Sequence, residues 1–237
     1  MNPTKSTGRA IGMLVLVQLV GLTVPFILLR AGTSPDFLRS AAPIAGQIKL
    51  AVFLLFANAV LTIGISLVAY PVIRRYSERM ALGLLALSVI WLAVQAVDNA
   101  HILSMLSLSE RFATGERSSA ELLTTLAAAL GATRRWLHYT ELLVIDTWFL
   151  ALYGILFRVV LVPRLLAGFG MVMAAVHTAA IPLPVLLGYE SVPMLAISLA
   201  ASHLALAGWL MVKGMREPPR SAVRAPTAIE SGLADSS

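Results

Sequence analysis

The chain has 237 residues, 58% of them hydrophobic and 13% charged, where soluble domains carry roughly 25% charge. That shortfall excludes an ordinary soluble domain and points to repeated membrane spans. The net charge of +6 does not mark a nucleic-acid binder, because the basic residues sit at the ends of apolar runs, where they set topology and meet lipid headgroups. The absence of cysteine excludes disulfides, iron–sulfur clusters and thiolate zinc sites.

In chain order, Lys5 and Arg9 precede an apolar run at 11–29. The run is long for a signal-peptide core of about 7–15 residues, and no small-x-small cleavage site follows it. It reads as an uncleaved first span after a cytoplasmic N-terminus, 1–10. Further runs lie at 51–73, 81–106, 136–157, 165–187 and 193–212. Each is close to the roughly 20 residues that cross a bilayer as a helix. The short alternating segments of a barrel are missing. The expected fold is all-α: an integral membrane bundle of six transmembrane helices, 11–213, followed by a disordered cytoplasmic tail, 214–237, rich in Pro, Ala, Ser and Arg.

Two connections are long. The first, 31–50, contains Pro35 and Pro43 and suggests a partly ordered cap. The second, 107–135, contains 119–130, where Ser119 suits an N-cap and Glu121 the first turn. Leu122, Leu123, Leu126 and Leu130 form an apolar stripe, so a short amphipathic helix is expected on the outer face or over the bundle mouth. Pro182 and Pro184 bend or end the fifth span. Gly168 and Gly170, and Ser198, Ser202 and Ala205, suggest close helix packing. Trp136 and Tyr189 suit interfacial anchoring.

Orientation follows the positive charges. With the N-terminus inside, inner segments hold Lys5, Arg9, Arg74, Arg75, Arg79, Arg158, Arg164, Lys213, Arg216, Arg220 and Arg224. Outer segments hold Arg30, Arg39, Lys49, Arg111, Arg117, Arg134 and Arg135. Eleven against seven is expected to place both termini in the cytoplasm, with the protein in the inner (cytoplasmic) membrane.

The spans also hold seven acidic or histidine residues: Asp98, His101, His138, Glu141, Asp146, His177 and His203. Charge inside a bilayer is costly and is usually kept for function. Residues three or four apart share a helix face, so Asp98 with His101, and His138 with Glu141, form two pairs at matched depth. Asp146 points about 140° from Glu141 and is expected to face a neighbouring helix, with Tyr139 and Tyr153 on its arc to satisfy it. Asn99, about 100° from Asp98, is expected to face elsewhere.

His101, His138, Asp98 and Glu141 are the candidate metal ligands. Such N and O donors suit a divalent metal, zinc or non-haem iron. Asp98, Glu141, His203 and His177 are the candidate catalytic residues. Bis-histidine haem from His177 and His203 is disfavoured beside these. The bland alternative is structural hydrogen bonding between helices, with two self-contained pairs.

Four short motifs carry a resemblance: Gly8-Arg9-Ala10-Ile11-Gly12, Trp91-Leu92-Ala93-Val94-Gln95-Ala96, Val162-Pro163-Arg164-Leu165-Leu166-Ala167-Gly168 and Trp209-Leu210-Met211-Val212-Lys213-Gly214. Over about residues 8–214 the chain resembles the bacterial multi-span membrane family catalogued as domain of unknown function four-three-eight-six. An arginine associated with that family four positions before Gln95 is Trp91 here. The resemblance implies a multi-span membrane protein and carries no assigned activity.

Three functions remain open from these residues. The leading expectation is a small enzyme, metal-dependent or acid–base, acting on a lipid-like substrate. The second is a proton-coupled transporter or sensor. The third is a scaffold or accessory subunit without chemistry. The partners expected are the lipid bilayer and a lipid-like small molecule, not nucleic acid.

Overall fold

The computed structural model of the chain describes residues 3–30, 32–115, 120–183 and 193–217. The regular elements described there are all helical: α1 (Pro3–Leu29), α2 (Phe37–Ser40), a 3-10 turn (Ala42–Ile44), α3 (Ala45–Ile73), α4 (Glu78–Ala113), α5 (Ala120–Val159), α6 (Arg164–Ala180) and α7 (Pro193–Lys213). By length and composition, α1, α3, α4 and α5 can each cross a membrane, and α6 and the described part of α7 are shorter apolar helices. The expected N-cap at Ser119, the anchor Tyr189, Pro184, the loop 188–192 and most of the tail lie outside the described residues.

The long helices close into a ring. Each packs on the next in chain order, from α1 through α3, α4, α5 and α6 to α7, and α7 returns to α1. Glycine makes the closing seam possible. A Cβ on Gly8 would overlap the Met215 backbone nitrogen, and one on Gly12 would lie 2.8 Å from that of Met211. Gly214 ends α7 with φ +69, and its N–H donates to the Leu210 carbonyl at 2.8 Å, the left-handed helix end that glycine adopts without strain. The Arg216 N–H then donates to the Leu161 carbonyl at 2.7 Å, tying the chain to the α5–α6 turn. Three separate sequence motifs thus meet at one end of the ring. Gly8→Ala is expected to lower stability by about 1–3 kcal/mol through overpacking against backbone. Gly64→Ala, where an added Cβ meets open space, should not. Thermal unfolding of detergent-purified variants checks the pair.

At the opposite end, α2 and the 3-10 turn form the cap expected from 31–50. Ser109 of α4 fastens it: its hydroxyl donates to the Leu38 carbonyl at 2.9 Å and accepts from the Ala42 N–H at 2.8 Å. The exposed Lys49–Glu110 pair, 3.7 Å apart, adds little.

The segment 119–130 differs from expectation. Its described residues open α5, which runs unbroken for 40 residues, about 60 Å, or twice a bilayer's apolar thickness of about 30 Å. Leu123, Ala127 and Leu130 are its packed stripe, set against Phe37, Leu38, Met105 and Leu108, while Leu122 and Leu126 are exposed. The apolar periodicity is real, but it belongs to the extension of a long helix. Arg134 and Arg135 likewise lie within α5 and not in a loop.

The half of the ring nearer the α1–α7 seam is solid. Trp91, Trp148, Leu152, Tyr153, Leu156 and Leu206 are buried in one cluster there. Gly170 of α6 lets the Tyr153 ring lie against its backbone, where a Cβ would overlap the ring. The half nearer α2 is hollow.

Candidate functional site

The hollow is a cavity of about 1200 Å³, lined from every long helix of the ring and from α2. Its acids and histidines enter on three sides. Asp98 comes from α4, and His138, Glu141 and Asp146 come from α5. His177 and His203 come from α6 and α7.

On α5, the cavity-lining arc runs from Glu141 at one edge to Asp146 at the other, about 140° apart. Because α4 and α6 flank α5 in the ring, Glu141 leans towards α4 and Asp146 towards α6. Asp146 therefore meets a neighbouring helix, as expected, yet borders the same cavity, which the phase argument did not expect. Its partners also differ from the tyrosines of the sequence reading. His177 Nδ1 donates to Asp146 Oδ2 at 2.7 Å, and Thr178 Oγ1 donates to the same oxygen at 3.2 Å. Tyr153 instead donates to Ser202 Oγ at 3.3 Å. A carboxylate only accepts, so Nδ1 of His177 carries its proton in this bond and Nε2 is left for a further partner.

A second dyad stands about 7.5 Å away along α5, five residues nearer the cap. His138 Nδ1 donates to Glu141 Oε2 at 3.1 Å. One ligand atom each of Asp98, His138 and Glu141 lie within 4.8 Å of one another. Zinc or iron takes N and O ligands at about 2.0–2.2 Å, and this group offers such donors. It also has a resident cation. Arg134 Nε lies 3.4 Å from Asp98 Oδ1, with both side chains largely buried. Neither atom has a hydrogen-bond partner, so this is an ion pair without hydrogen-bond alignment. Arg134 is the functional residue that the sequence reading missed. Its signal was present: Arg134, His138 and Glu141 follow one another at i, i+4 and i+7, one face of a helix once α5 is continued past Trp136.

His101 does not join the expected ligand set. Its Nδ1 bonds the Val97 carbonyl of its own helix at 2.9 Å, and the residue does not line the cavity. The buried arc of α4 passes through Trp91, Gln95, Asp98, Asn99 and Ile102. Asp98 sits near one edge of that arc, and His101 lies about 60° beyond it. Asn99 faces elsewhere, as expected: it is buried against α3 and does not line the cavity. It accepts from Gln95 Nε2 at 3.0 Å and donates to the Val52 carbonyl at 3.2 Å.

His203 is the deepest of the histidines described, 5% exposed, with the Phe149 ring edge-on at 4.1 Å between centroids. Its Nδ1 donates to the Leu199 carbonyl at 2.8 Å, which leaves Nε2 as the lone-pair nitrogen of a neutral ring. That Nε2 is buried without a partner. Asp146 Oδ1, Gln18 Oε1 and Trp91 Nε1, on other cavity-lining residues, are in the same condition. Buried polar atoms are normally satisfied, so these atoms leave bonding capacity on the cavity wall. Trp91 brings a donor without a charge.

These features define an all-helical membrane protein with a buried Asp/His/Glu group in an internal cavity. The chain matches the family described as Domain of unknown function (DUF4386) over residues 10–214 and belongs to it. No curated protein and no solved structure matches it.

Proposed function

We propose that the protein is a six-span membrane enzyme that performs acid–base chemistry on a lipid-like substrate inside the cavity. The termini and the α1–α7 seam would lie on the cytoplasmic side, and α2 on the outer side of the bacterial inner membrane. One observation carries the reading: two histidine–carboxylate dyads, His138–Glu141 and His177–Asp146, border one cavity. A carboxylate on Nδ1 fixes the imidazole tautomer and orientation and leaves the Nε2 lone pair to accept a proton, the arrangement general bases use. His177 is the better-oriented base, since its bond to Asp146, 2.7 Å, is shorter than that of His138 to Glu141, 3.1 Å. His138 with Glu141 would supply the second proton-transfer group, and His203 Nε2 would hold a substrate donor.

The packed floor of Trp91, Trp148 and Tyr153 supports access from one side, which favours an enzyme over a proton path through the membrane. A metal-dependent form has its own support in the Asp98, His138 and Glu141 group. Arg134 beside Asp98 weighs against it, because an incoming cation would have to displace a guanidinium.

The test is lipid conversion. Purified protein in vesicles of bacterial polar lipid should change the lipid profile seen by mass spectrometry. Glu141→Gln and His177→Ala should abolish the change, and His101→Ala should leave it intact. No conversion by the wild type, or equal conversion by all variants, contradicts the reading. One equivalent of zinc or iron that disappears in Glu141→Ala would move the chemistry onto a metal.

A further inference from the structure

We infer that the cavity takes an amphiphile with an anionic, phosphate-type headgroup, which Arg39, Arg134 and Arg135 hold at the α2 end while its chain runs down towards the dyads. This inference rests on the proposed function and names the substrate class of the same site.

All three arginines line the cavity. Arg134 and Arg135 are adjacent on α5. Arg39 lies in the last turn of α2, two residues after Phe37, whose ring is 3.8 Å from where a Gly131 Cβ would stand. Gly131 is one turn before Arg134, so α2 brings Arg39 over the same part of α5. Asp36 and Asp98 line this end among the described residues, Asp98 paired with Arg134, so three guanidiniums face two carboxylates. Arg134 is largely buried, with its Nε 3.4 Å from Asp98 Oδ1. A guanidinium has five N–H donors, so its terminal nitrogens can still fork onto phosphate oxygens, the ligand that arginine matches bidentately.

Below the arginines the wall turns apolar, with Leu22 and Phe26 of α1 and Leu142 and Ile145 of α5. The cavity, about 1200 Å³, exceeds the roughly 300–1,000 Å³ of sites for small molecules. A small anion would leave most of it unfilled. Depth along α5 orders the contacts. His138 and Glu141 lie about 6 and 10 Å below Arg134, and Asp146 about 18 Å below. A headgroup held at the arginines would put its linkage to the chain beside His138–Glu141 and the chain itself alongside His177.

The experiment measures binding to the full chain in detergent by native mass spectrometry, with three probes: phosphatidylglycerol, phosphatidylcholine and free glycerol 3-phosphate. The expected result is one phosphatidylglycerol per chain, bound in preference to phosphatidylcholine, with little binding of glycerol phosphate alone. Arg39→Gln and Arg135→Gln sit at exposed positions and should each weaken phosphatidylglycerol at least about tenfold, as expected for lost charged hydrogen bonds. Phosphatidylcholine binding should hardly change. Equal binding of the two lipids, or a preference that survives both substitutions, overturns the inference. Glycerol phosphate binding as tightly as the lipid also overturns it, in favour of a small-anion site. A lipid preference without any conversion would keep this inference and remove the enzymatic reading. Conversion without the preference would do the reverse.

Discussion

Replacing Arg134 with alanine is expected to cost about 3–5 kcal/mol of stability, the usual effect of stranding one partner of a buried ion pair. Asp98 is 1% exposed and its carboxylate has Arg134 3.4 Å away. Without the guanidinium, a carboxylate would remain in an apolar wall with no compensating charge. The double variant Arg134→Ala/Asp98→Asn should recover most of the loss, because the charge left behind is gone. Unfolding midpoints of the two variants and the wild type in one detergent decide it. If the single and double variants are equally unstable, arginine packing matters and the ion pair does not.

Asp146→Asn is expected to lower the proposed lipid conversion by roughly 10²–10⁴-fold, the range spanned by a positioned acid–base group. The substitution nearly preserves shape. The loss comes from the proton arrangement: an amide nitrogen facing His177 Nδ1 would donate to it and drive the ring proton to Nε2, the nitrogen that must accept. Thr178→Val, which removes a hydroxyl shared between Asp146 Oδ2 and the Ala174 carbonyl, should cost far less. Initial rates with matched circular dichroism spectra provide the check. An Asp146→Asn protein with wild-type rate would assign the Asp146–His177 bond to structure alone.

Much of the architecture was legible in the sequence because a bilayer leaves the backbone few choices. The apolar runs at 11–29, 51–73, 81–106 and 136–157 each fall within a described helix. Six of the seven acids and histidines singled out in the sequence line one cavity, in keeping with the cost of scattering charge through apolar helices. Helical phase within one helix correctly joined His138 to Glu141 and sent Asp146 towards a neighbour.

Other features depended on contacts between helices, which phase alone does not contain. His101 and Asp98 are neighbours on α4, yet only one falls on the buried arc. Which one does is decided by where α3 and α5 sit. Ring closure brings Asp146 back to the cavity that Glu141 borders, and it gives Asp146 a histidine from α6 in place of the tyrosines on its own helix. Arg134 was obscured for a different reason. Two adjacent arginines before Trp136 look like the end of a span, and only the unbroken course of α5 puts one of them inside.

The central claim is a cavity open from the α2 end, closed at the seam end and lined by both dyads. The natural absence of cysteine allows a direct measurement. Single cysteines at Ala132, Ala200 and Ala207 can be tested for reaction with a charged, membrane-impermeant thiol reagent applied to either face of sealed vesicles. Ala132 and Ala200 line the cavity, whereas Ala207 is buried in the packed core. The account predicts that Cys at 132 and 200 react only from the face bearing Arg134, and that Cys at 207 reacts from neither. Reaction at 200 from the opposite face, or protection of 200 from both, would contradict it.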